Sequence, residues 1–277
     1  MNPESTISRQ DYLYLRELLR EQIGHNLTDG KEYLVEGRLG PIAASYDLAG
    51  VAELLGRLRL TGDRAIRETI VEAMTINETY FFRGPNMFDN FRRTIVPDLI
   101  RTRADTRRLR IWCAACSTGQ EPYSIAMTLA DHFPELDTWR VDLLATDFSV
   151  QTLDRARQGV YNQFEVQRGL PIQSLLKHFT KVGDHWRISD DLRRRVRFDK
   201  FNLLDVFFGL GGPFDIILIR NVLIYVEPAT ASSVFSKLRG AITHDGYLVL
   251  GESETILGLT DQFAIPDGAV YFYRPVR

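Results

Sequence analysis

The chain has 277 residues, of which 44% are hydrophobic and 25% are charged, and these fractions are typical of a folded globular protein. Lys and Arg number 34 while Asp and Glu number 36, so the net charge of −2 gives no overall indication of nucleic-acid binding. The apolar runs are shorter than the roughly 20 residues of a membrane helix, and residues 1–10 lack the apolar core of a signal peptide. We therefore expect a cytoplasmic protein that binds no nucleic acid and is not inserted in a membrane.

The first 75 residues show helical periodicity. Ser8 is a candidate N-cap, and the apolar residues after it recur at helical spacing. A second helix is expected to contain Gly40-Pro41 near its middle, where the proline threatens helix continuity. A third apolar stripe follows, and Asp63 is a candidate cap for a fourth helix. Strand alternation does not interrupt this pattern, so residues 1–75 are predicted to form an all-α helical bundle domain.

After a linker over residues 76–90, the pattern changes to short apolar runs separated by helical segments. Such alternation predicts βαβ units, and continuously apolar strands fit a parallel sheet covered on both faces. We therefore predict an α/β domain over residues 91–277, closed by an antiparallel hairpin whose turn is Pro266-Asp267-Gly268. Within this domain, a strand, a tight turn and another strand predict a small antiparallel β subdomain over about residues 169–195. The predicted sheet strands are residues 109–114, 141–145, 196–198, 214–219 and 246–250.

Polar residues at the ends of these strands indicate the ligand, because ligands of open α/β sheets bind at the carboxyl ends of the strands. The segment after the first strand, residues 114–124, contains neither the Gly-x-Gly-x-x-Gly dinucleotide motif nor a phosphate-loop lysine. Its Glu121 falls in the first turn of a helix, where a carboxylate disfavours pyrophosphate and favours a cationic ligand. Asp147 ends the second strand, where an acid accepts hydrogen bonds from ribose hydroxyls; the alternative is that Asp147 only caps the next helix. With Asn202, these residues favour a nucleoside without phosphates, and S-adenosylmethionine is such a ligand.

Five segments carry a family resemblance. They are Asn-Glu-Thr-Tyr-Phe-Phe-Arg at 77–83, the segment at 111–124, Thr-Asp-Phe-Ser at 146–149, Asn-Leu-Leu at 202–204 and Ile-Arg-Asn-Val-Leu-Ile-Tyr at 219–225. In this order the chain resembles the CheR family of chemotaxis-receptor methyltransferases over nearly its whole length. The resemblance implies a Rossmann-like class I S-adenosylmethionine-dependent methyltransferase domain with an inserted small antiparallel β subdomain, preceded by an all-α domain. It also implies methyl transfer from S-adenosylmethionine to glutamate side chains of chemoreceptor cytoplasmic helical domains, giving glutamate 5-O-methyl esters and S-adenosylhomocysteine.

The resemblance further implies which residues bind the methyl donor. By their chemistry we assign Glu121 to the cationic methionine end, Asp147 to the ribose, and the Asn202-Leu203 pair to the adenine. Several members of the set lie on the linker, which must then fold back over the donor. The donor-binding residues implied are Asn77, Thr79, Arg83, Glu121, Asp147, Asn202, Leu203, Arg220 and Asn221.

Two residues are predicted to act in the transfer itself. A glutamate carboxylate has a reference pKa of ~4.3, so it is ionised at pH 7 and needs no general base. This agrees with the scattered positions of the five histidines, which also indicate no metal site. Arg83 and Tyr225 are the predicted catalytic residues that hold the carboxylate beside the methyl group, since a guanidinium fork matches a carboxylate.

Departures from the family pattern concern the partner. Relatives that dock on a C-terminal receptor pentapeptide usually have a longer, glycine-rich turn in the β subdomain, whereas the turn here is only Val182-Gly183-Asp184-His185. We therefore predict an enzyme that does not need the pentapeptide tether, and a monomer, since no extra oligomerisation segment is visible.

Gln120 stands where many members have Glu. The basic segment 83–110, with eight arginines and three aspartates, is either a solvated helix face or a surface for acidic receptor helices.

Other interpretations stay open. Cys113 and Cys116 form a C-x-x-C pair, but no further zinc ligands stand out, so we expect neither a metal nor a redox function. One alternative is an S-adenosylmethionine-dependent methyltransferase of another substrate, and a second is a non-catalytic relative that binds the methyl donor. The missing glycine motif makes a dehydrogenase the weakest alternative.

Overall fold

The computed structural model describes residues 7–266 and 270–276. The chain divides into two compact units, here called the helical unit and the sheet unit. The short return segment Tyr225–Thr230 belongs to the helical unit, which the sequence did not indicate. The helical unit comprises Met1–Ile76 and Tyr225–Thr230, and the sheet unit comprises Asn77–Ile224 and Ala231–Arg277.

The helical unit contains four helices whose ends match the sequence signals. The side chain of Ser8 accepts a hydrogen bond from the amide of Asp11, and Asp63 accepts from the first turn of the fourth helix. Pro41 lies inside the second helix without ending it, because the buried side chains of Leu39 and Ala43 hold that helix against its neighbours. The helices are α1 Arg9–Ile23, α2 Glu32–Ser45, α3 Val51–Thr61 and α4 Arg64–Ala73.

The return segment is tied to the helical unit by backbone contacts. The amide of Asn26 donates to the carbonyl of Tyr225 at 2.8 Å, and His25 forms an isolated β-bridge with Val226. The rings of His25 and Tyr225 meet edge to face with centroids 6.3 Å apart. Residues that are distant in sequence therefore complete this unit.

Eight further helices lie in the described residues, and all belong to the sheet unit except that the last one begins in the return segment. Among those residues, no helix combines the length and the apolar character that crossing a membrane requires. A π-helical turn, Phe91–Ile95, joins the first two helices, and 3₁₀ turns lie at Pro134–Thr138 and Leu223–Tyr225. The helices are α5 Pro85–Asn90, α6 Val96–Thr102, α7 Gln120–His132, α8 Val150–Gln158, α9 Gln163–Gln167, α10 Ile172–His178, α11 Asp190–Arg194 and α12 Pro228–Ala241.

Ten strands form two sheets in the described part of this unit. The large sheet has the order β6-β2-β1-β7-β8-β10-β9, and the small sheet has the order β3-β5-β4. The first five strands of the large sheet are parallel, while β10 and β9 are antiparallel, so the predicted α/β class is confirmed. The strands are β1 Arg108–Ala114, β2 Arg140–Asp147, β3 Val160–Asn162, β4 Phe179–Val182, β5 His185–Ile188, β6 Val196–Lys200, β7 Phe214–Ile219, β8 Ile242–Leu250, β9 Phe263–Ala264 and β10 Phe272–Pro275.

Apolar layers cover both faces of the large sheet. In β1, Ile111 and Cys113 pack into one buried cluster, while Trp112 and Ala114 pack into the other. This alternation is expected when successive side chains of a strand point to opposite faces. Strands covered on both faces hold their ends in place, and the carboxyl ends of β1, β2, β6, β7 and β8 therefore form a firm edge for a binding site.

The small sheet is antiparallel and contains the predicted hairpin. Val182 pairs with His185, so Gly183-Asp184 forms a two-residue turn between β4 and β5. The sheet also includes β3, which precedes the predicted 169–195 segment. The sequence did not indicate this strand, because three residues are too few to show strand alternation. Of the tail hairpin predicted at Pro266-Asp267-Gly268, Asp267 and Gly268 lie outside the described residues, as do the first six residues of the chain.

A partly buried charge cluster lies near the opposite, amino ends of the strands. The guanidinium of Arg103 contacts Asp215 at 2.8 Å and Asp245 at 2.6 Å. These contacts with Arg103 lower the pKa of Asp245 from its ordinary 3.8 to about 2. Because the folded-state pKa is the lower one, this carboxylate stabilises the fold above about pH 4, and the contribution is lost as the pH falls towards 2.

We expect an acid titration of stability to reveal this contribution. Asp245→Asn should lower the free energy of unfolding at neutral pH, and its deficit relative to the unmodified chain should shrink between about pH 4 and pH 2. Urea unfolding at several pH values measures the deficit. Asp191→Asn, which removes a largely exposed carboxylate, is the control. A deficit for Asp245→Asn that stays constant with pH would contradict the assignment.

Candidate functional site

The loop between β1 and α7, residues 115–119, runs in a strained path. Ala115 and Ser117 have positive φ angles of 59° and 51°, which residues with side chains rarely adopt. Gly119 has φ of 93°, and a Cβ there would lie 2.9 Å from the Cβ of Ala156. Strain of this kind persists only where neighbouring groups hold the backbone, so the contacts of this loop matter.

Asp147, at the carboxyl end of β2, anchors this loop. Its two carboxylate oxygens accept from the amides of Ser117 at 2.8 Å and Ser149 at 3.0 Å. Burial raises the pKa of Asp147, because a low-dielectric environment disfavours the charged form. The cap of α8 is Ser149, whose side chain accepts from the amide of Thr152, so the structure does not support helix capping as the role of Asp147.

Glu121, in the first turn of α7, pairs with Arg220 at the end of β7. The carboxylate and the guanidinium are 2.8 Å apart, and the side chains are only 13% and 2% exposed. Arg220 also donates to the carbonyl of Arg83 at 2.6 Å, where Gly84 allows the close approach, since a Cβ there would lie 2.7 Å from the guanidinium. Within the part of the chain that the structure describes, the buried Nε of Arg220 has no hydrogen-bond partner. The sequence predicted both residues in the site, but not their pairing.

The segment 77–84 lies against the same loop and helix. The hydroxyl of Ser117 donates to the carbonyl of Asn77 at 2.7 Å, and the amide of Phe82 donates to the hydroxyl of Ser124 at 3.0 Å. Asn77 and Thr79 also line a cavity of about 300 Å³ together with residues of the loop and of α8. The structure therefore brings these two predicted residues to the β1–α7 loop.

Arg83 reaches back along its own segment. Its guanidinium donates to the carbonyl of Glu78 at 3.0 Å and lies 5.5 Å from the centre of the Tyr80 ring. Arg168 lies 4.4 Å from the same ring and pairs with the carboxylate of Glu78. The Arg83 side chain is thus held beside the site, while its backbone carbonyl takes part in the Arg220 contact.

Asn221 begins the loop after β7, and a carboxylate that sequence reasoning missed holds this loop. Asn221 has φ of 58°, and the buried Glu254 accepts hydrogen bonds from its amide at 2.6 Å and from the amides of Val222 and Leu223. Glu254 also accepts from the amide of Gly251 at 2.7 Å. Four backbone donors on one carboxylate form a strong clamp. Its position four residues past the end of β8 was the signal that could have identified it.

Asn202 and Leu203 follow β6, and the backbone places them next to Asp147. The amide of Phe201 donates to the carbonyl of Asp147 at 2.9 Å, and the side chain of Asn202 accepts from the amide of Leu204 at 3.0 Å. This turn brings the predicted adenine-binding pair to the edge that holds Asp147. Tyr225, by contrast, belongs to the helical unit, so its action together with Arg83 stays a prediction.

The two cysteines and the possible metal-binding side chains are the candidate groups for redox and metal sites. Cys113 and Cys116 are buried, and burial raises the pKa of both thiols well above the usual value, so neither is a ready nucleophile. Over residues 7–266 and 270–276, no group of three or more His, Cys, Asp or Glu side chains is arranged to hold a metal ion.

The side chains at this edge fit S-adenosylmethionine, whose methionine part carries an ammonium and a carboxylate. The buried Nε of Arg220, which has no partner among residues 7–266 and 270–276, is a hydrogen-bond donor suited to a ligand carboxylate. Arg220 engages one of the two carboxylate oxygens of Glu121, which leaves the other for a cationic group. The small residues of the β1–α7 loop let a ligand approach the backbone closely.

Comparisons with known proteins show the family. The family model described as "CheR methyltransferase, SAM binding domain" matches residues 77–272, and "CheR methyltransferase, all-alpha domain" matches residues 10–75. A chemotaxis protein methyltransferase of Vibrio parahaemolyticus is 39% identical over 262 residues, covering 93% of this chain and 94% of the relative. Chemotaxis protein methyltransferase 1 of Vibrio cholerae is 38% identical over 265 residues, with 93% and 94% covered. Its namesake in Pseudomonas aeruginosa is 36% identical over 258 residues, with 91% and 93% covered. The chain therefore belongs to the CheR methyltransferase family and is a methyltransferase with an S-adenosylmethionine-binding domain.

Proposed function

We propose that this protein transfers the methyl group of S-adenosylmethionine to glutamate side chains on the cytoplasmic helical domains of chemoreceptors. The products are glutamate 5-O-methyl esters and S-adenosylhomocysteine. The observation that carries the proposal is the similarity to chemotaxis protein methyltransferases across both family domains of the chain. On this proposal the protein acts as a monomer in the cytoplasm, where receptor signalling domains are accessible.

The histidines of the sheet unit support a carboxylate acceptor. His132 ends α7, His178 bonds to Asp131 at 2.9 Å, and His185 and His244 lie in β5 and β8. In the described hydrogen bonds, none of these four contacts a residue of the predicted donor-binding set. An amine or hydroxyl acceptor has to lose a proton, whereas a carboxylate with a pKa of ~4.3 is already ionised at neutral pH. None of these four histidines is thus placed as a base at the predicted donor-binding residues, and a glutamate acceptor needs none.

We assign the donor-binding roles from the chemistry of each residue. When bound, S-adenosylmethionine supplies an electrophilic methyl group on a positively charged sulfur. Glu121 and Arg220 would hold the ammonium and the carboxylate of its methionine part, and Asp147 would accept from the ribose hydroxyls. The adenine would lie at Asn202-Leu203. The remaining members of the set, Asn77, Thr79, Arg83 and Asn221, would line the same site.

Arg83 and Tyr225 are proposed to hold the acceptor carboxylate in line with the methyl group. Joining an anion to a sulfonium neutralises charge, so a water-poor pocket and close alignment favour the reaction. A strong ion pair with Arg83 would also lower the nucleophilicity of the carboxylate. Arg83 should therefore orient the carboxylate more than neutralise it.

Labelled methyl donor and receptor cytoplasmic fragments test the proposal. Incubation with methyl-labelled S-adenosylmethionine should put label on the receptor fragment, and mild alkali should release it, because carboxyl methyl esters hydrolyse readily. Alkali-stable label would indicate N-methylation and overturn the glutamate assignment. Donor binding without transfer to any receptor fragment would favour a non-catalytic relative, and transfer to a small molecule or nucleic acid would favour another substrate.

The short β4–β5 turn supports independence from a receptor pentapeptide. The turn has only Gly183 and Asp184 between paired strands, and so offers less surface than the longer turn of pentapeptide-dependent relatives. Receptor fragments with and without a C-terminal pentapeptide should be methylated at rates within about twofold of each other. Loss of methylation when the pentapeptide is removed would reverse this part of the proposal.

Replacing Arg83 with alanine tests its role in the transfer. We expect kcat for receptor methylation to fall about tenfold, because the acceptor loses a charge-assisted hydrogen bond that orients it. Calorimetry with S-adenosylhomocysteine measures donor-site affinity separately. Arg168→Ala is a matched control, since this arginine packs on the same Tyr80 ring without belonging to the predicted set. Unchanged transfer by Arg83→Ala would remove Arg83 from the mechanism.

A further inference from the structure

A buried tyrosine of the small sheet contacts the β1–α7 loop. Tyr161, in β3, is 1% exposed, and its hydroxyl donates to the carbonyl of Thr118 at 2.8 Å. The loop passes so close that a Cβ on Gly119 would lie 3.2 Å from this hydroxyl oxygen. Burial raises the pKa of Tyr161 well above its usual value, so the hydroxyl stays a donor at any physiological pH.

The Tyr161 ring is fixed by other aromatic rings. Its centroid lies 5.0 Å from that of Phe81 and 6.4 Å from that of Phe179, and Phe81 and Phe179 are themselves 5.6 Å apart. These rings come from the 77–84 segment, from β3 and from β4. Since edge-to-face packing of three buried rings leaves little rotational freedom, the hydroxyl is held at a defined point.

The loop therefore has two anchors in its middle, one at Ser117, which has a positive φ, and one at the next residue, Thr118. Asp147 holds the amide of Ser117, and Tyr161 holds the carbonyl of Thr118. Residues with positive φ keep that conformation only when their surroundings determine it. We propose that Tyr161 is a positioning residue for the methyl donor: through the Thr118 carbonyl it keeps the β1–α7 loop in the conformation that binds S-adenosylmethionine.

Tyr161→Phe removes only the hydroxyl, and Tyr123→Phe is a closely matched control. Tyr123 is also fully buried, its ring also lies beside Gly119, and its hydroxyl donates to a backbone carbonyl, that of Ala156, at 2.7 Å. Both variants lose one buried hydrogen bond to a carbonyl, so we expect similar falls in Tm. They differ in which carbonyl is released, because Ala156 lies in α8 and not in the loop.

Calorimetry with S-adenosylhomocysteine, without any receptor, gives the decisive measurement. We expect Tyr161→Phe to raise Kd about tenfold and Tyr123→Phe to leave it within about twofold. In turnover assays Tyr161→Phe should raise KM for S-adenosylmethionine while kcat at saturating donor stays within about twofold.

Two outcomes would overturn the role of Tyr161. One is a Kd for Tyr161→Phe equal to that of the unmodified protein, and the other is an equal rise in Kd for both variants, which would indicate a general packing effect. Thermal unfolding with and without saturating S-adenosylhomocysteine covers a poorly folded variant, because the ligand-induced rise in Tm should shrink only for Tyr161→Phe. Donor binding needs no acceptor, so these results are independent of the glutamate assignment.

Discussion

Replacing Arg220 with methionine is expected to raise the Kd for S-adenosylhomocysteine about a hundredfold and to lower the free energy of unfolding by about 3–5 kcal/mol. The substitution leaves the buried carboxylate of Glu121 without its partner and frees the carbonyl of Arg83. It also removes the Nε donor assigned to the carboxylate of the methyl donor. Calorimetry gives the affinity, and urea unfolding gives the stability.

Arg103→Met separates the binding effect from the stability effect. Arg103 makes a comparably buried contact with Asp215, near the amino end of the strand whose carboxyl end precedes Arg220. We expect a similar loss of stability but a Kd within about threefold of that of the unmodified protein. Equal losses of affinity in both variants would mean that folding, rather than the Glu121–Arg220 pair, determines binding.

Glu254→Gln is expected to give the second large effect. The Glu254 carboxylate accepts from four backbone amides with its two oxygens. A glutamine side chain has only one acceptor oxygen, and its NH₂ group would face backbone N–H groups that it cannot accept from. The loop that begins at Asn221 should then lose its positive-φ conformation. We expect the Kd for S-adenosylhomocysteine to rise about thirtyfold and the free energy of unfolding to fall by about 3 kcal/mol.

Glu252→Gln is the control for this substitution. Glu252 lies two residues away on the same turn, but its side chain is exposed. It should change stability by less than about 0.5 kcal/mol, as is usual for surface positions. Unchanged donor affinity in Glu254→Gln, measured alongside this control, would show that the Asn221 loop does not shape the site.

The sequence predicted the elements of the fold because their signals are local. Ser8 and Asp63 indicate helix starts, because their side chains can cap a helix. Residues 214–219 are all apolar or buried, which is typical of a central strand of a covered sheet. The carboxyl-edge rule then indicated where polar residues such as Asp147 matter. Each of these inferences needs only neighbouring residues and a general rule.

The pairings within the site could not be predicted in the same way. Glu121 and Arg220 are 99 positions apart, and the carboxylate of Glu254 is recognised as a clamp only once the loops after β7 and β8 are known to be adjacent. The three-residue strand that carries Tyr161 is too short to show alternation. Contacts between distant segments depend on strand order, which one sequence does not state.

The return of Tyr225–Thr230 to the helical unit bears on how this protein could be recombined with a relative. The polypeptide crosses between the two units three times, so a chimera joined only near residue 76 would pair one protein's α1–α4 with the other's return segment. The Asn26–Tyr225 hydrogen bond and the bridge at His25 would then join residues of different ancestry. A working chimera has to exchange residues 1–76 and 225–230 together. Substitutions in one of these segments are expected to be accompanied by compensating substitutions in the other.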